Sequence, residues 1–158
     1  MSRSALIVLA AGGSLALLLG AWGFQYIGGL APCKMCYWQR WPHIAAIVIG
    51  ILAFAGRIRW VPLLGGLSAL TTAGIGIYHT GVERRWWEGP SSCSGTNQLE
   101  GLSGADLLST EGVGTIVMCD QVAWEMAGLS MASWNAVFSL CLAALWLAAF
   151  LRPKTHPS

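Results

Sequence analysis

Two cysteines, Cys33 and Cys36, are separated by two residues and follow Pro32, a residue type that often opens an α-helix. In a helix that begins here, the two cysteines and Arg40 fall at positions i, i+3 and i+7, which lie on one face. The positive end of the helix dipole stabilises a thiolate, the form of cysteine that exchanges disulfides. The stretch therefore predicts a redox-active cysteine pair at a helix N-terminus.

Three further cysteines follow, with Cys93 and Cys119 in a Gly- and Ser-rich segment and Cys141 in a long apolar run. If the first two face the same oxidising compartment as the Cys-x-x-Cys pair, the natural disulfides are Cys33–Cys36 and Cys93–Cys119. The second disulfide is either a staple that closes a loop of about 25 residues or an exchangeable pair on a flexible arm. We favour exchange, because exchange requires one sulfur to approach another and a mobile loop allows that approach. For Cys141 we expect a free thiol packed as a small apolar core residue.

Four cysteines are also the number that a structural zinc site uses. Such sites are usually built from two Cys-x-x-Cys pairs, whereas 25 residues separate Cys93 from Cys119. We expect no metal, and we keep as the alternative function a small zinc-binding or scaffold membrane protein with structural cysteines. Bound zinc that is lost when any one of the four cysteines is replaced would favour this alternative.

The composition of the chain is that of a membrane protein, because 10% of its 158 residues are charged, 55% are hydrophobic and nine are Trp. In a soluble domain roughly a quarter of the residues are charged, and Trp collects at the lipid–water boundary. The net charge of +2 is too small to indicate nucleic acid. We predict one domain, residues 1–158, that lies in the lipid bilayer and has no nucleic-acid partner.

Four apolar spans predict how this domain is built, since each is near the roughly 20 residues that a helix needs to cross a bilayer. The spans cover about 5–26, 37–55, 61–78 and 131–151. Small residues recur at helix-packing spacing, and they are Ala46 and Gly50, Ala69 and Ala73, and Ala144 and Ala148. They either let the four helices pack closely or reflect the ordinary composition of membrane helices. The predicted fold class is an all-α membrane protein, a four-transmembrane-helix bundle.

Basic residues near the span ends predict the orientation of the bundle. Those on one side of an even number of spans are Arg3, Arg57, Arg59, Arg152 and Lys154. The positive-inside rule makes that side cytoplasmic, so both termini are cytoplasmic, and the Cys-x-x-Cys pair and a long second loop, about 81–130, face outward. A signal peptide is the competing interpretation of the first span, and its cleavage would leave three spans.

Two short helices are expected in the outward loop. Residues 103–108 have Ser103 as a helix N-cap, with Asp106 three residues later. Residues 119–129 are interpreted as an amphipathic helix whose apolar side chains lie at the bilayer surface.

Together these features resemble the DsbB family of membrane disulfide-generating proteins. The resemblance rests on the Cys-x-x-Cys-x-x-Gln-Arg run that ends at Arg40, the Tyr-His-Thr run that ends at Thr80, the outward loop with two cysteines, and Trp124 followed by the run 128–134. It covers essentially the whole chain. It implies a multi-pass protein of the bacterial inner membrane whose long loop is periplasmic.

The resemblance also implies an activity and an electron path. The family oxidises a soluble thioredoxin-fold partner, DsbA, and passes two electrons to a membrane quinone. Carried over to this chain, Cys93 forms the mixed disulfide with the partner and Cys119 resolves it. The reduced loop pair then passes its electrons to the Cys33–Cys36 disulfide. Cys36 is the sulfur that faces the quinone, which is ubiquinone or menaquinone.

Arg40, His79 and Met131 match family positions near the quinone ring. From the residues alone, Arg40 is either a headgroup anchor or a cation that stabilises a Cys36 thiolate and the charge on a quinone oxygen, and we favour the second. His79 is either a hydrogen-bond or proton donor or a polar residue at the interface. Met131 is expected to pack in the core or contact the ring. We leave His43 unassigned because a proline precedes it.

Overall fold

A computed structural model of the chain describes residues 1–55, 58–90, 93 and 118–152. The described part forms four long α-helices and one short β-hairpin. These elements are α1 (Arg3–Tyr26), α2 (Lys34–Ala55), α3 (Val61–Glu83), β1 (Glu125–Met126), β2 (Leu129–Ser130) and α4 (Met131–Leu151). The helix expected at 103–108 lies outside the described residues, as do Arg57 and Lys154.

Three of the helices, α1, α3 and α4, are long and apolar enough to cross a membrane, with mean hydropathies of 2.1, 1.4 and 1.9 in their most apolar windows. The fourth, α2, occupies the predicted second span and has 22 residues, which is long enough to cross. It is less apolar because it carries polar residues such as Gln39 and His43, both of which are buried in the bundle. A protein of four helices, three of them suited to a membrane, is therefore confirmed.

The ends of the helices follow from local chemistry. Ser2 and Ser130 each accept a hydrogen bond, at 3.2 Å, from the backbone N–H three residues later, and so cap α1 and α4. Pro62 lies in the first turn of α3, where its missing N–H is not needed. At the cysteine end, α2 begins before the predicted span, at Lys34, and α3 continues beyond it, to Glu83.

A core around Trp146 holds the four helices together at the end away from the Cys-x-x-Cys pair. Trp146 is fully buried, and a Cβ atom on Gly65 would lie only 2.5 Å from its ring. The missing side chain of this glycine is thus what allows α3 to approach α4 closely. The other buried members of the cluster are Leu6, Ile7, Ala10, Ala53, Ala69, Leu142 and Ala149.

The predicted small-residue contacts hold on two helices and fail on the third. The small residues that are buried as expected are Ala46, Gly50, Ala69 and Ala73. On α4 the prediction is wrong, because Ala144 is exposed and Ala148 is only partly buried. The inward face of α4 is instead the one that carries Trp146.

A β-hairpin replaces the amphipathic helix that the sequence predicted at 119–129. Strands β1 and β2 pair antiparallel, with Met126 opposite Leu129. The two residues between them, Ala127 and Gly128, have φ of 53° and 75°, as a tight hairpin turn requires. Trp134 of α4 donates its indole N–H to the Met126 carbonyl at 3.1 Å, which ties the hairpin to the start of the helix.

The two ends of the bundle carry different chemistry. At one end, an Arg3 guanidinium nitrogen contacts the Ile58 carbonyl at 3.5 Å, which brings the start of α1 to the connection between α2 and α3. At the other end, α1 and α3 finish, α2 and α4 begin, and the hairpin lies beside them. The candidate site is at this second end.

Candidate active site

The four predicted redox cysteines lie together at one end of the bundle. Cys93 and Cys119 are joined by a disulfide, which is the pairing that the sequence predicts. Together with Cys33 they form a buried cluster against α2 and α3, and Cys36 packs against it. The backbone N–H of Cys119 also donates to the Cys93 carbonyl at 3.0 Å. The fold therefore brings the Cys93–Cys119 pair onto the Cys-x-x-Cys pair.

Cys33 and Cys36 are thiols, with their Sγ atoms 2.9 Å apart. The sequence predicts a disulfide here, but this separation is a hydrogen bond, since an S–S bond is about 2.05 Å long. Cys33 precedes α2, and its Sγ also accepts the backbone N–H of Cys36 at 3.2 Å. The hydrogen bond to Cys36 and burial both raise the pKa of the Cys33 thiol. The structure thus combines a reduced Cys-x-x-Cys pair with an oxidised loop pair.

His79 of α3 lies between the two cysteine pairs. Its Nε2 atom is 3.5 Å from Cys33 Sγ, and ligand atoms of Cys33, His79 and Cys119 all lie within 4.8 Å of one another. Three such groups are a possible metal-ligand set by position. Zinc binds thiolates, however, and the Cys119 sulfur is held in a disulfide. The arrangement therefore fits disulfide exchange better than a zinc site.

Glu83 is a residue of this site that the sequence analysis missed. Its carboxylate accepts a hydrogen bond from the Ser130 hydroxyl and lies 3.9 Å from His79 Nε2. The available signal was its position four residues after His79, which puts both side chains on one face of α3. Glu83 places a carboxylate next to the imidazole that contacts Cys33.

A chain of hydrogen bonds leads from His79 into the interior of the bundle. The Gln39 amide nitrogen lies 2.9 Å from His79 Nδ1, and Gln39 Oε1 accepts from Asn135 Nδ2 at 2.7 Å. Asn135 Nδ2 also donates to Thr72 Oγ1 at 3.1 Å, and Asn135 Oδ1 lies 2.9 Å from His43 Nε2. The chain connects α2, α3 and α4, and the sequence analysis assigned it no role.

A cavity of about 500 Å³ opens beside these groups. This volume is in the range of small-molecule sites. All four helices and the hairpin contribute to its walls, which are mostly apolar, with Phe24, Trp124 and Phe138 among them. The predicted quinone-facing residues that line it are Cys36, Arg40, His79 and Met131. The structure therefore brings these four predicted residues to one cavity.

Arg40 is held within the bundle. Its Nη1 atom donates to Gln25 Oε1 of α1 at 2.7 Å, and its guanidinium lies 4.8 Å from the centre of the Tyr37 ring. Its Nε atom is buried and has no hydrogen-bond partner among the described residues. A headgroup anchor would extend to the surface, whereas this side chain is held against α1 and Tyr37, and the residue lines the cavity.

The two remaining sequence expectations concern α4. Met131 is its first residue, is partly buried and lines the cavity. Its position is compatible with both expectations, packing in the core and contact with a ring. Cys141 is exposed on the outer face of the helix, and the expectation that it packs in the core is therefore wrong.

A quinone fits the residues that line this cavity. A quinone ring is apolar on its faces and carries oxygens at its edge, so it needs apolar walls and a few polar atoms. Two buried polar atoms, Arg40 Nε and His43 Nδ1, lack partners within the described ranges. Cys36 lies on the same wall, where a dithiol would have to meet the ring.

Comparison with known proteins adds a family to this geometry. Residues 2–149 match the family model described as disulfide bond formation protein DsbB. The chain is 32% identical over 148 residues to disulfide bond formation protein B of Dechloromonas aromatica, which covers 89% of this chain and 87% of the relative. The protein of the same name from Marinobacter nauticus is 32% identical over 145 residues, covering 86% and 84%. No solved structure is significantly similar to the chain.

Proposed function

The chain belongs to the DsbB family of disulfide bond formation proteins, and from this premise we propose that it is a membrane thiol–disulfide oxidoreductase. It reoxidises a periplasmic, DsbA-like thioredoxin-fold partner and passes the electrons to a membrane quinone. The observation that supports this most directly is one of position. The Cys93–Cys119 disulfide lies against the Cys33 thiol, and Cys36 lines an apolar cavity.

The loop disulfide takes the electrons of the partner. A partner thiolate attacks Cys93 Sγ, the Cys93–Cys119 bond breaks, and Cys119 leaves as a thiolate. The second thiol of the partner then attacks the partner's own sulfur in the mixed disulfide, Cys93 leaves as a thiolate, and the partner departs oxidised. Because Cys119 is the loop sulfur that lies beside Cys33, we assign it the onward attack and assign the resolution of the mixed disulfide to the partner.

The Cys-x-x-Cys pair takes the electrons next. The Cys119 thiolate attacks Cys33 in the oxidised Cys33–Cys36 pair, and Cys36 leaves as a thiolate at the edge of the cavity. Cys93 then attacks Cys119, which re-forms the loop disulfide and releases Cys33 as a thiol. The product has an oxidised loop pair and a reduced Cys-x-x-Cys pair, which is the state of this structure.

The residues that line the cavity, Cys36, Arg40, His79 and Met131 among them, would hold a quinone, which would supply an acceptor for two electrons and two protons. A DsbA-like partner has a reduction potential of about −120 mV, so its oxidation needs a strong acceptor of this kind. On the protein side, Arg40 lines the cavity, and its guanidinium would donate to a ring oxygen. The apolar walls keep water away from Cys36 while its disulfide re-forms. Ubiquinone and menaquinone both carry a suitable ring.

The proposed setting is the bacterial inner membrane, with α2 as the fourth span and both termini cytoplasmic. The contact between Arg3 and Ile58 supports this arrangement, because it brings two basic segments to one end of the bundle. The cysteine cluster lies at the other end, which is then periplasmic. Labelling of intact spheroplasts with a membrane-impermeant maleimide tests this, since a cysteine introduced at the exposed Trp86 should react and one introduced at Ser2 should not.

Partner trapping tests the first step of the proposed reaction. With the wild-type loop disulfide and a reduced thioredoxin-fold partner that carries one redox cysteine, attack on Cys93 should release the Cys119 thiol. Once that thiol is blocked with N-ethylmaleimide, we expect a covalent complex on a non-reducing gel that disappears on reduction. Cys93→Ser is the matched control and should give no complex. A complex that persists in Cys93→Ser but not in Cys33→Ser would mean that the partner attacks the other pair.

A further inference from the structure

An apolar groove lies on the outer surface of the bundle between α3 and α4. It encloses about 410 Å³, and every described residue that lines it is Leu, Ala, Gly or Pro. Leu67, Leu70 and Leu147 in its walls each have more than half of their surface exposed. Among the described residues, none lines both this groove and the cavity beside Cys36. The groove is therefore separate from the cavity that we assign to quinone.

The groove begins near the end of the bundle away from the cysteines. On α3 it extends from Pro62, in the first turn, to Leu70, which is about 12 Å along the helix axis. On α4 it extends from Leu140 to Leu147, four residues before the helix ends. Ala144 is exposed in it, and its small side chain leaves the space between the leucines open.

Two arginines lie at the end of the bundle where the groove begins. Arg59 is three residues before Pro62, and Arg152 directly follows α4. The Arg59 guanidinium carbon lies 5.5 Å from the centre of the Phe150 ring, and the Trp60 ring lies 5.4 Å from that centre. Both arginines are exposed. The contacts of Phe150 thus bring the residues that precede α3 against the last turn of α4.

The chain has no acidic side chain near these arginines in the sequence. All seven Asp and Glu residues lie between positions 83 and 125. Those that the structure describes, such as Glu83 and Glu125, are at the cysteine end of the bundle. The anion that balances Arg59 and Arg152 must therefore come from another molecule, and the groove beside them accepts an apolar chain.

We propose that the groove binds an acidic phospholipid, with an acyl chain between α3 and α4 and the phosphate held by Arg59 and Arg152. Guanidinium groups suit a phosphate because they offer paired N–H donors. Trp60, next to Arg59, is a residue type that collects at the depth of lipid headgroups. The inference goes beyond the proposed electron path and rests only on the membrane setting. In the proposed orientation, the lipid belongs to the cytoplasmic leaflet.

Two other occupants match the groove less well. A two-fold interface uses the same patch on both chains, so a dimer built on this groove would bring the arginines of both copies together. The tail of a quinone would fill the groove but carries no charge to balance Arg59 and Arg152. An acidic phospholipid supplies both the apolar chain and the anion.

Native mass spectrometry of the full chain, released from detergent, tests the proposal because it resolves each bound lipid by mass. The protein would be titrated with phosphatidylglycerol and, separately, with phosphatidylcholine that has the same acyl chains. We expect one phosphatidylglycerol per chain, bound at least about tenfold more tightly than phosphatidylcholine. The expected scale follows because each arginine near an anionic lipid surface contributes about fivefold.

Two variants separate the role of the charge from the role of the groove. Arg59→Gln with Arg152→Gln should bring the two affinities within about twofold. Arg84→Gln with Arg85→Gln is the matched control, since it removes the same charge at the cysteine end, and it should keep the preference.

Ala144→Leu should weaken the binding of both lipids by about tenfold, because the larger side chain occupies the space of the acyl chain. Its control is Ala45→Leu, at an exposed alanine of α2 that lines neither the groove nor the quinone cavity. Circular dichroism and quinone reduction in detergent should match the wild-type values in the variants of Arg59, Arg152 and Ala144, which shows that they fold.

Equal binding of the two lipids by the wild-type protein would overturn the proposal, as would a preference that survives Arg59→Gln with Arg152→Gln. A lipid-free dimer that Ala144→Leu dissociates would overturn it in favour of a second copy. If the wild-type protein reduces quinone but shows any of these results, the lipid site is wrong and the proposed function stands. A preference for phosphatidylglycerol in a protein that reduces no quinone would support the lipid site and contradict the proposed function.

Discussion

At the scale of single residues, the sulfur that each cysteine can reach decides its role. Cys119 is the loop cysteine whose sulfur lies within 4.8 Å of Cys33 Sγ, whereas Cys36 lines the cavity. The electron path that we propose runs from the partner through Cys93, Cys119, Cys33 and Cys36 to quinone. It predicts that steps on either side of Cys36 can be separated by mutation.

Cys36→Ala should abolish quinone reduction and leave partner capture intact. Cys36 is the sulfur on the cavity wall, but Cys93 and Cys119 form their disulfide without it. The measurements are quinone absorbance for turnover and gel-resolved mixed disulfide for capture, with Cys141→Ala as the control that should preserve both. Normal turnover in Cys36→Ala would remove this residue from the path.

Arg40→Ala should weaken the apparent quinone affinity by about ten- to a hundredfold, the scale of a hydrogen bond to a charged group. The KM for the partner should change by less than about twofold, because Arg40 lines the cavity and lies outside the buried cysteine cluster. Steady-state kinetics with each substrate varied in turn measures both. Arg59→Ala, which removes the guanidinium above Phe150, is the control. An equal loss for both substrates would contradict a quinone-specific role.

At the scale of elements, the helices could be predicted because lipid imposes a simple rule on sequence. Long apolar runs become helices, and the four predicted spans coincide with α1 to α4. The hairpin was missed although Val122, Trp124 and Met126 alternate with period two and Ala127-Gly128 is a usable turn pair. The two strands have only two residues each, so the alternating pattern is too short to distinguish a hairpin from an amphipathic helix.

The polar chain inside the bundle lay beyond prediction for a different reason. The chain joins residues of three helices, because Gln39 is 40 residues from His79 and 96 residues from Asn135 along the sequence. Whether they meet depends on how each helix is rotated about its axis, and the weak amphipathicity of membrane helices does not set this. The same reason explains why Ala144 was expected inside and Trp146 was not.

Gly65→Ala should destabilise the bundle by about 1–3 kcal/mol, because the added Cβ would overlap the Trp146 ring. Thermal unfolding in detergent, followed by cysteine accessibility or circular dichroism, measures the change. Gly74→Ala on the same helix is the matched control, since nothing lies within 4 Å of the position of its added Cβ. Equal unfolding midpoints for the two variants would show that close contact between α3 and α4 contributes little.

At the scale of the whole molecule, the fold separates an apolar helix core from a redox site at one end. The core around Trp146 fixes the helices, and the site is assembled where α1 and α3 end and α2 and α4 begin. This division places the Cys93–Cys119 disulfide against Cys33, with Cys36 on the wall of a mostly apolar cavity. It predicts electron flow from a water-soluble dithiol to a membrane-soluble ring within one chain.

The central claim is tested most directly by following quinone absorbance in a mixture of the purified protein, a reduced thioredoxin-fold partner and a short-chain quinone. We predict that the quinone signal is lost only when all three are present, in equal amount to the partner disulfide formed, and that Cys33→Ala stops it. Partner oxidation without loss of quinone, or no loss of quinone with the wild-type protein, would contradict the account.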